Sequence, residues 1–130
     1  MPAPCKGMTV KYLLLIYDDP SAFAAAPQEA RREMYRAYGD FSAELAAAGK
    51  LGPAEELQPP DQAKSVRVRD GRTLVTDGPF AEAREQLGGF FVVEADDMAD
   101  AVHWAARVPS ATYGTVEVRP VASGQYPDQG

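Results

Sequence analysis

Three carboxylates, Asp77, Glu82 and Glu85, crowd one short segment that follows a predicted strand. A carboxylate at the mouth of an apolar cavity has a raised pKa and can transfer protons at neutral pH. We therefore take Asp77 and Glu82 as candidate catalytic residues. The structural alternative for Asp77 is that it accepts backbone hydrogen bonds in a turn shaped by Gly78 and Pro79. Plain surface charge is the alternative for the two glutamates.

Two aromatic residues, Tyr17 and Phe80, are candidate ligand-binding residues. Tyr12 and Tyr17 stand five positions apart in a predicted strand, so they lie on opposite faces, one toward the helices and one toward a cleft. A tyrosine in a cleft can orient a ligand or donate a proton, whereas a buried tyrosine packs its ring and satisfies its hydroxyl. Phe80 follows the Gly-Pro turn, where it meets a ligand or fills the core.

The single histidine, His103, falls in a predicted helix. The apolar residues Met98, Ala101, Val102 and Ala105 predict the buried stripe of this helix, and that stripe would turn His103 toward solvent. Trp104, on the flank of the stripe, is expected to pack against the core. His103 is therefore a poor candidate for a general base.

Metal ligands are the other chemistry that the carboxylates could provide. Asp18 and Asp19, with Asp77 and Glu82, could supply oxygen ligands to a hard cation, but their spacing does not require one. A zinc site lacks the necessary cluster of histidines and cysteines. We predict no metal and no cofactor.

The elements that must position these residues follow from apolar periodicity and turn residues. Asp70-Gly71 is a favoured two-residue hairpin loop, and Pro27 and Gly49 suit the start and the stop of a long helix. Residues 77–87 are predicted to be irregular. The predicted order is strand 9–17, helix 27–48, short strand 51–57, hairpin strands 65–69 and 72–76, strand 90–94, helix 97–107 and strand 113–119.

Without the hairpin, this order is βαββαβ, which predicts an α+β, ferredoxin-like fold with an inserted β-hairpin. Such a fold covers one face of its sheet with helices. The predicted strands 9–17 and 90–94 are nevertheless apolar on both faces. Because a monomer rarely exposes a large apolar sheet face, we expect a second copy to cover it in a homodimer.

The composition indicates one domain of 130 residues with a net charge of −6. This acidic balance argues against nucleic-acid binding, and no apolar run approaches the length that a membrane span needs. One cysteine, Cys5, excludes an internal disulfide, so we expect a cytoplasmic protein. We predict a flexible leader over 1–7, a domain over 8–121 and a flexible tail over 122–130, with Met1 or Met8 as the start.

Five separated blocks resemble the YCII-related family that carries an Asp-Gly-Pro-Phe motif: Lys11–Tyr17, Leu57–Pro59, Val66–Phe91 with Asp77–Phe80 inside it, Trp104–Arg107 and Val116–Pro120. The likeness covers about residues 8–121. It implies a dimeric α/β barrel of ferredoxin-like units whose activity is largely unassigned. The family usually has Thr-Lys where this chain has Ala83 and Arg84. Ala83 lacks the threonine hydroxyl, and Arg84 keeps the positive charge of the lysine but not its amine. A His–Asp pair suggested for YCII-type relatives is not carried over.

Two functions follow as hypotheses. The first is that the protein binds or transforms a small molecule in a pocket at the dimer cleft, through Tyr17, Asp77, Phe80 and Glu82. The alternative is a non-catalytic regulatory or protein-interaction module. The resemblance links such a module to transcription through sigma-factor systems. The sequence leaves open whether the protein is an enzyme.

Overall fold

The computed structural model describes residues 9–81 and 83–122. The predicted leader, 1–7, and residues 123–130 of the predicted tail lie outside this part of the chain, as does Glu82. The described elements, in chain order, are β1 (Val10–Asp18), α1 (Pro20–Ala25), α2 (Gln28–Ala47), β2 (Leu51–Glu56), β3 (Lys64–Arg69), β4 (Arg72–Asp77), β5 (Gln86–Ala95), α3 (Met98–Ala105) and β6 (Thr115–Pro120).

The main sheet has four strands in the order β2-β5-β1-β6, and its neighbouring strands are all antiparallel. This order is that of a ferredoxin-like unit, and β3 and β4 form a separate two-stranded hairpin. The predicted α+β fold with an inserted hairpin is confirmed.

Helix α2 begins after Pro27 and ends before Gly49, which adopts the left-handed conformation with φ of 72°. The hairpin loop places both Asp70 and Gly71 at positive φ, as a type I′ turn requires. These predicted boundaries depend on local residue preferences, and they are confirmed to within a residue or two.

Three local predictions are wrong. Residues 18–21, Asp-Asp-Pro-Ser, predict a turn, but a short helix, α1, begins there because the Asp19 side chain caps it and Pro20 suits its first position. Strand β5 begins at Gln86, inside the segment predicted to be irregular. Helix α3 buries Trp104 with its two inner alanines, whereas Met98 and Val102 are 41% and 49% exposed.

The core lies between the helices and one face of the main sheet. Phe41 packs edge-on against Phe91 and Trp104, with ring centroids 5.2 and 6.3 Å apart. Trp104 thus packs as predicted, while His103 is exposed as predicted. No helix in the described ranges is long and apolar enough to cross a membrane. The buried strand residues of this layer are Tyr12, Leu14, Ile16, Phe91, Val93 and Ala95.

Candidate functional site

The face of the sheet opposite the helices carries an apolar strip. In the register of β1 with β5, Leu13 stands opposite Val92 and Leu15 opposite Phe90. Paired residues of antiparallel strands share a face, so these four side chains form one patch. All four are only partly buried, and within the described chain no helix packs on them. We call this surface the open strip.

A polar cluster borders the open strip at Tyr17. The hydroxyl of Tyr17 donates a hydrogen bond to Glu117 Oε1 at 3.4 Å, and Arg119 Nε donates to Glu117 Oε2 at 2.8 Å. Glu117 and Arg119 stand opposite Leu15 and Leu13 in the pairing of β1 with β6. The three polar side chains therefore lie on the same face as the open strip.

The electrostatics of this cluster fix its protonation. The hydrogen bond from Arg119 lowers the pKa of Glu117 below its ordinary value. Partial burial, with the nearby Glu117 carboxylate, raises the pKa of Tyr17. At neutral pH the cluster is a phenol beside an ion pair. The single O–H of Tyr17 is donated to Glu117, so the phenol oxygen remains as a hydrogen-bond acceptor.

Asp18, the next residue, lies at the strand end on the helix side. Burial raises the pKa of its carboxyl, and Glu85, Asp19 and Glu56 add like-charge repulsion. Gly88 leaves room beside it, since a Cβ there would stand 3.2 Å from Asp18 Oδ1. In the described residues no hydrogen bond reaches the Asp18 side chain.

Neighbouring carboxylates at this end of the sheet all have partners. Glu85 accepts a hydrogen bond from Thr115 at 3.0 Å, and Glu56 accepts one from Tyr35 at 3.0 Å. Within the described ranges, no group of three His, Cys, Asp or Glu side chains is arranged to hold a metal ion.

A partly buried hydroxyl network lies on the helix side near Asp18. Tyr38 Oη and Ser110 Oγ stand 2.6 Å apart, and Ser110 Oγ lies 3.3 Å from Tyr113 Oη. The ring of Tyr38 is parallel to that of Phe91, with centroids 6.1 Å apart. Burial raises the pKa of Tyr38, so it remains a phenol at neutral pH. This network orders the junction between α2 and the segment that precedes β6.

Asp77 and Phe80, two predicted site residues, lie at the base of the hairpin. The Asp77 carboxylate is ion-paired with Lys64, its partner across the two strands, and 85% of the Asp77 side chain is exposed. Phe80 is 74% exposed, and the Arg67 guanidinium lies 4.7 Å from its ring centroid. The alternative in which Phe80 fills the core is therefore wrong.

The structure does not bring the predicted site residues into one constellation. Tyr17 lies on the main sheet, and among residues 9–81 and 83–122 no hydrogen bond or ion pair joins it to Asp77. Glu82 lies outside the described residues. Arg84, at a departure from the family pattern, is 3.4 Å from the carboxylate of Asp19. A groove of about 420 Å³ lies beside these residues. Its lining includes Asp19, at the start of α1, with Pro79 and Arg84.

Sequence reasoning did not select Glu117 and Arg119 as site residues. The available signal was their alternation with Val116 and Val118, which places both charged residues on one face of β6. Alternation alone does not show which residues stand opposite. Tyr17 and Glu117 are 100 positions apart in the chain, and only the strand pairing brings them together.

A ferredoxin-like unit with an open, partly apolar sheet face defines a broad class of small α+β proteins. Within that class, the model of the YCII-related domain matches residues 10–123. The chain is also 36% identical over 113 residues to an uncharacterized protein of Rhizobium meliloti (strain 1021). The aligned region covers 85% of this chain and 91% of that protein. The chain belongs to the YCII-related family.

Proposed function

We propose that this protein is a homodimer that binds a small molecule in a cleft over the open strip, with the Tyr17 hydroxyl oxygen accepting a hydrogen bond from the ligand. The observation that carries the proposal is the adjacency of an apolar floor and a polar border on one sheet face. Leu15 and Phe90 supply the floor, and the hydroxyl of Tyr17, held by Glu117, supplies the border. Small-molecule sites commonly combine these two features.

A second copy is part of the proposal because one chain provides only one wall. The open strip is partly exposed in the single chain, and a sheet face of this kind gains free energy when it is removed from water. A two-fold dimer would set the strip of one protomer against that of its partner. The space between two such strips is the proposed cleft.

The ligand that fits this cleft has an apolar body and a hydrogen-bond donor. The apolar body would rest on Phe90 and Leu15, and the donor would bind the hydroxyl oxygen of Tyr17, whose own proton is donated to Glu117. Glu117 holds the phenol in place, because the Glu117 carboxylate is itself fixed by Arg119. Asp77, Glu82 and Phe80 remain predicted site residues, and the first and last of them belong to the hairpin base.

The test is native mass spectrometry of the wild type and of Tyr17→Phe, both purified from cells under identical conditions. We expect the wild-type dimer to retain a small molecule and Tyr17→Phe to retain at least about tenfold less, since leaving one buried hydrogen-bond partner unsatisfied costs about 1–3 kcal/mol. Tyr113→Phe is the matched control, because it removes a phenol that is hydrogen-bonded on the helix side of the sheet, to Ser110 and to Met34 of α2. Equal retention by both variants would remove Tyr17 from the proposal.

A regulatory or protein-interaction module is the second candidate function. One observation favours it: Val66, Val68 and Val75 on the hairpin are each more than half exposed. An exposed apolar patch of this kind marks a contact surface. The two candidates differ in the native mass spectrum, where a module without a ligand shows the mass of the polypeptide alone.

A further inference from the structure

The β3–β4 hairpin has an apolar face that the rest of the chain leaves exposed. In its register, Val66 stands opposite Val75 and Val68 opposite Thr73, so the three valines share one face. Their exposed fractions are 60%, 59% and 56% for Val66, Val68 and Val75. The alternation of Val66 and Val68 with Arg67 and Arg69 predicts one solvent-exposed face, whereas the structure leaves both faces exposed.

The hairpin is tied to the body at its base. The amide of Gly78 donates to the carbonyl of Ala63 at 2.8 Å, and the Ser65 hydroxyl donates to the carbonyl of Gly78 at 2.8 Å. Beyond that point the two strands pair only with each other. An isolated two-stranded hairpin is at best marginally stable in water, so its apolar face needs a partner surface.

Charge indicates which surface is suited to that role. Residues 64–77 contain four basic and two acidic side chains, a net charge of +2, whereas the whole chain carries −6. The remainder of the chain therefore carries −8. The basic hairpin of one chain is attracted to the acidic body of another. Arg67, Arg69 and Arg72 lie on the hairpin face opposite the valines, so this attraction is long-range and the valines provide the direct contact. Pairing two β3 edges would instead bring together Lys64, Arg67 and Arg69 of both chains, which like-charge repulsion opposes.

We propose that the hairpin is a dimerisation arm whose valine face packs on the acidic body of a second copy of this chain. The inference rests on the second copy proposed above, and it is independent of whether that dimer holds a ligand. The arm leaves the sheet at the end that carries Tyr17, because β5 begins at Gln86, nine residues after β4 ends at Asp77, and its second residue, Leu87, pairs with Tyr17. Each protomer would give one arm and receive one.

The test measures dimer dissociation by sedimentation equilibrium for the wild type, Val66→Ser and Leu74→Ser. Leu74 is the matched control, because it is 43% exposed on the opposite face of the same hairpin, across from Arg67. We expect Val66→Ser to raise the dissociation constant about tenfold or more, as the loss of a buried valine contact implies, and Leu74→Ser to change it by less than about threefold.

A second variant keeps the test decisive if serine disturbs the hairpin. Val66→Thr retains the β-branched shape that suits a strand, and it should still weaken the dimer. Raising the salt from about 0.05 to 0.5 M should weaken the wild-type dimer further, because screening reduces the attraction between arm and body.

Two results would overturn the inference: a wild-type mass near 14.0 kDa at micromolar concentration, or a dimer whose dissociation constant is the same for Val66→Ser and the wild type. The second result leaves the ligand cleft untouched. Conversely, a weakened Val66→Ser dimer together with no retained small molecule in the wild type would uphold the arm and remove the proposed function.

Discussion

At the scale of single residues, two aspartates show how position sets the effect of one functional group. Asp100 accepts hydrogen bonds from the backbone of Asp96 and from Lys50, and these lower its pKa. Asp18 lies among other carboxylates in a partly buried position, which raises its pKa. The first carboxylate therefore stabilises the fold in its charged form, and the second opposes folding when it is charged.

Asp18→Asn should stabilise the protein at neutral pH. Because the pKa of Asp18 is raised in the folded state, its penalty is absent below the unfolded pKa, grows as the pH rises from the unfolded to the folded pKa, and is complete above the folded pKa. We expect a thermal midpoint at pH 7 that is higher by roughly 2–5 °C, and almost no difference near pH 3. Thermal unfolding followed by circular dichroism at both pH values measures this.

Asp100→Asn is the control with the opposite sign. The stabilisation from Asp100 is complete above its unfolded pKa and is lost as the pH falls through its lowered folded pKa. We expect this variant to lose about 1 kcal/mol of unfolding free energy at pH 7. If the two variants moved the midpoint in the same direction, the assignment of these electrostatic effects would be wrong.

At the scale of elements, two glycines test whether helix α2 and the start of β6 are placed correctly. Gly39 lies inside α2 and is exposed, and a Cβ added there would meet no other atom within 4 Å. Gly114 lies just before β6, where a Cβ would overlap the carbonyl oxygen of Tyr17. One position tolerates a side chain and the other does not.

Gly39→Ala should therefore raise the unfolding free energy by about 0.5–1 kcal/mol, because alanine reduces backbone entropy in the unfolded chain and favours the helix. Gly114→Ala should lower it by about 2 kcal/mol or more, since the backbone of β6 must move away from β1. Urea denaturation of both variants gives the comparison. Equal changes in unfolding free energy for Gly39→Ala and Gly114→Ala would mean that either α2 or the start of β6 is placed incorrectly.

The elements that the sequence predicts well are those fixed by nearby residues. Pro27, Gly49 and the Asp70-Gly71 loop set the boundaries of α2 and of the hairpin. The buried face of α3 was predicted incorrectly, because packing against Phe41 selects Trp104 over Val102. Amphipathic periodicity predicts that a helix forms, but it does not specify which face of that helix packs against the sheet.

The candidate site was less predictable than the fold for a related reason. Tyr17 could be selected from its place at a strand end, but its partner Glu117 comes from the other end of the chain. The motif around Asp77 identified the family more readily than a site, because Asp77 is paired with Lys64 on an exposed hairpin. Side-chain partners between distant strands depend on register, which no local pattern specifies.

At the scale of the whole molecule, the open strip and the hairpin valines are two apolar surfaces that one copy of the chain leaves partly exposed. The core on the helix side is complete, with Leu14, Leu45 and Val93 fully buried. In the single chain, the helices thus cover one face of the main sheet, and the opposite face stays partly exposed. A homodimer would bury that second face, and the same contact would enclose the proposed cleft beside Tyr17.

Sedimentation velocity of the wild type and of Leu15→Glu tests this central claim most directly. We predict a wild-type mass of twice 14.0 kDa at micromolar concentration and a folded monomer for Leu15→Glu, because the new carboxylate lies beside Phe90 in the open strip. Leu57→Glu, at a residue 40% exposed in a loop, should remain a dimer. A monomeric wild type, or a Leu15→Glu protein that still forms the dimer, would contradict the account.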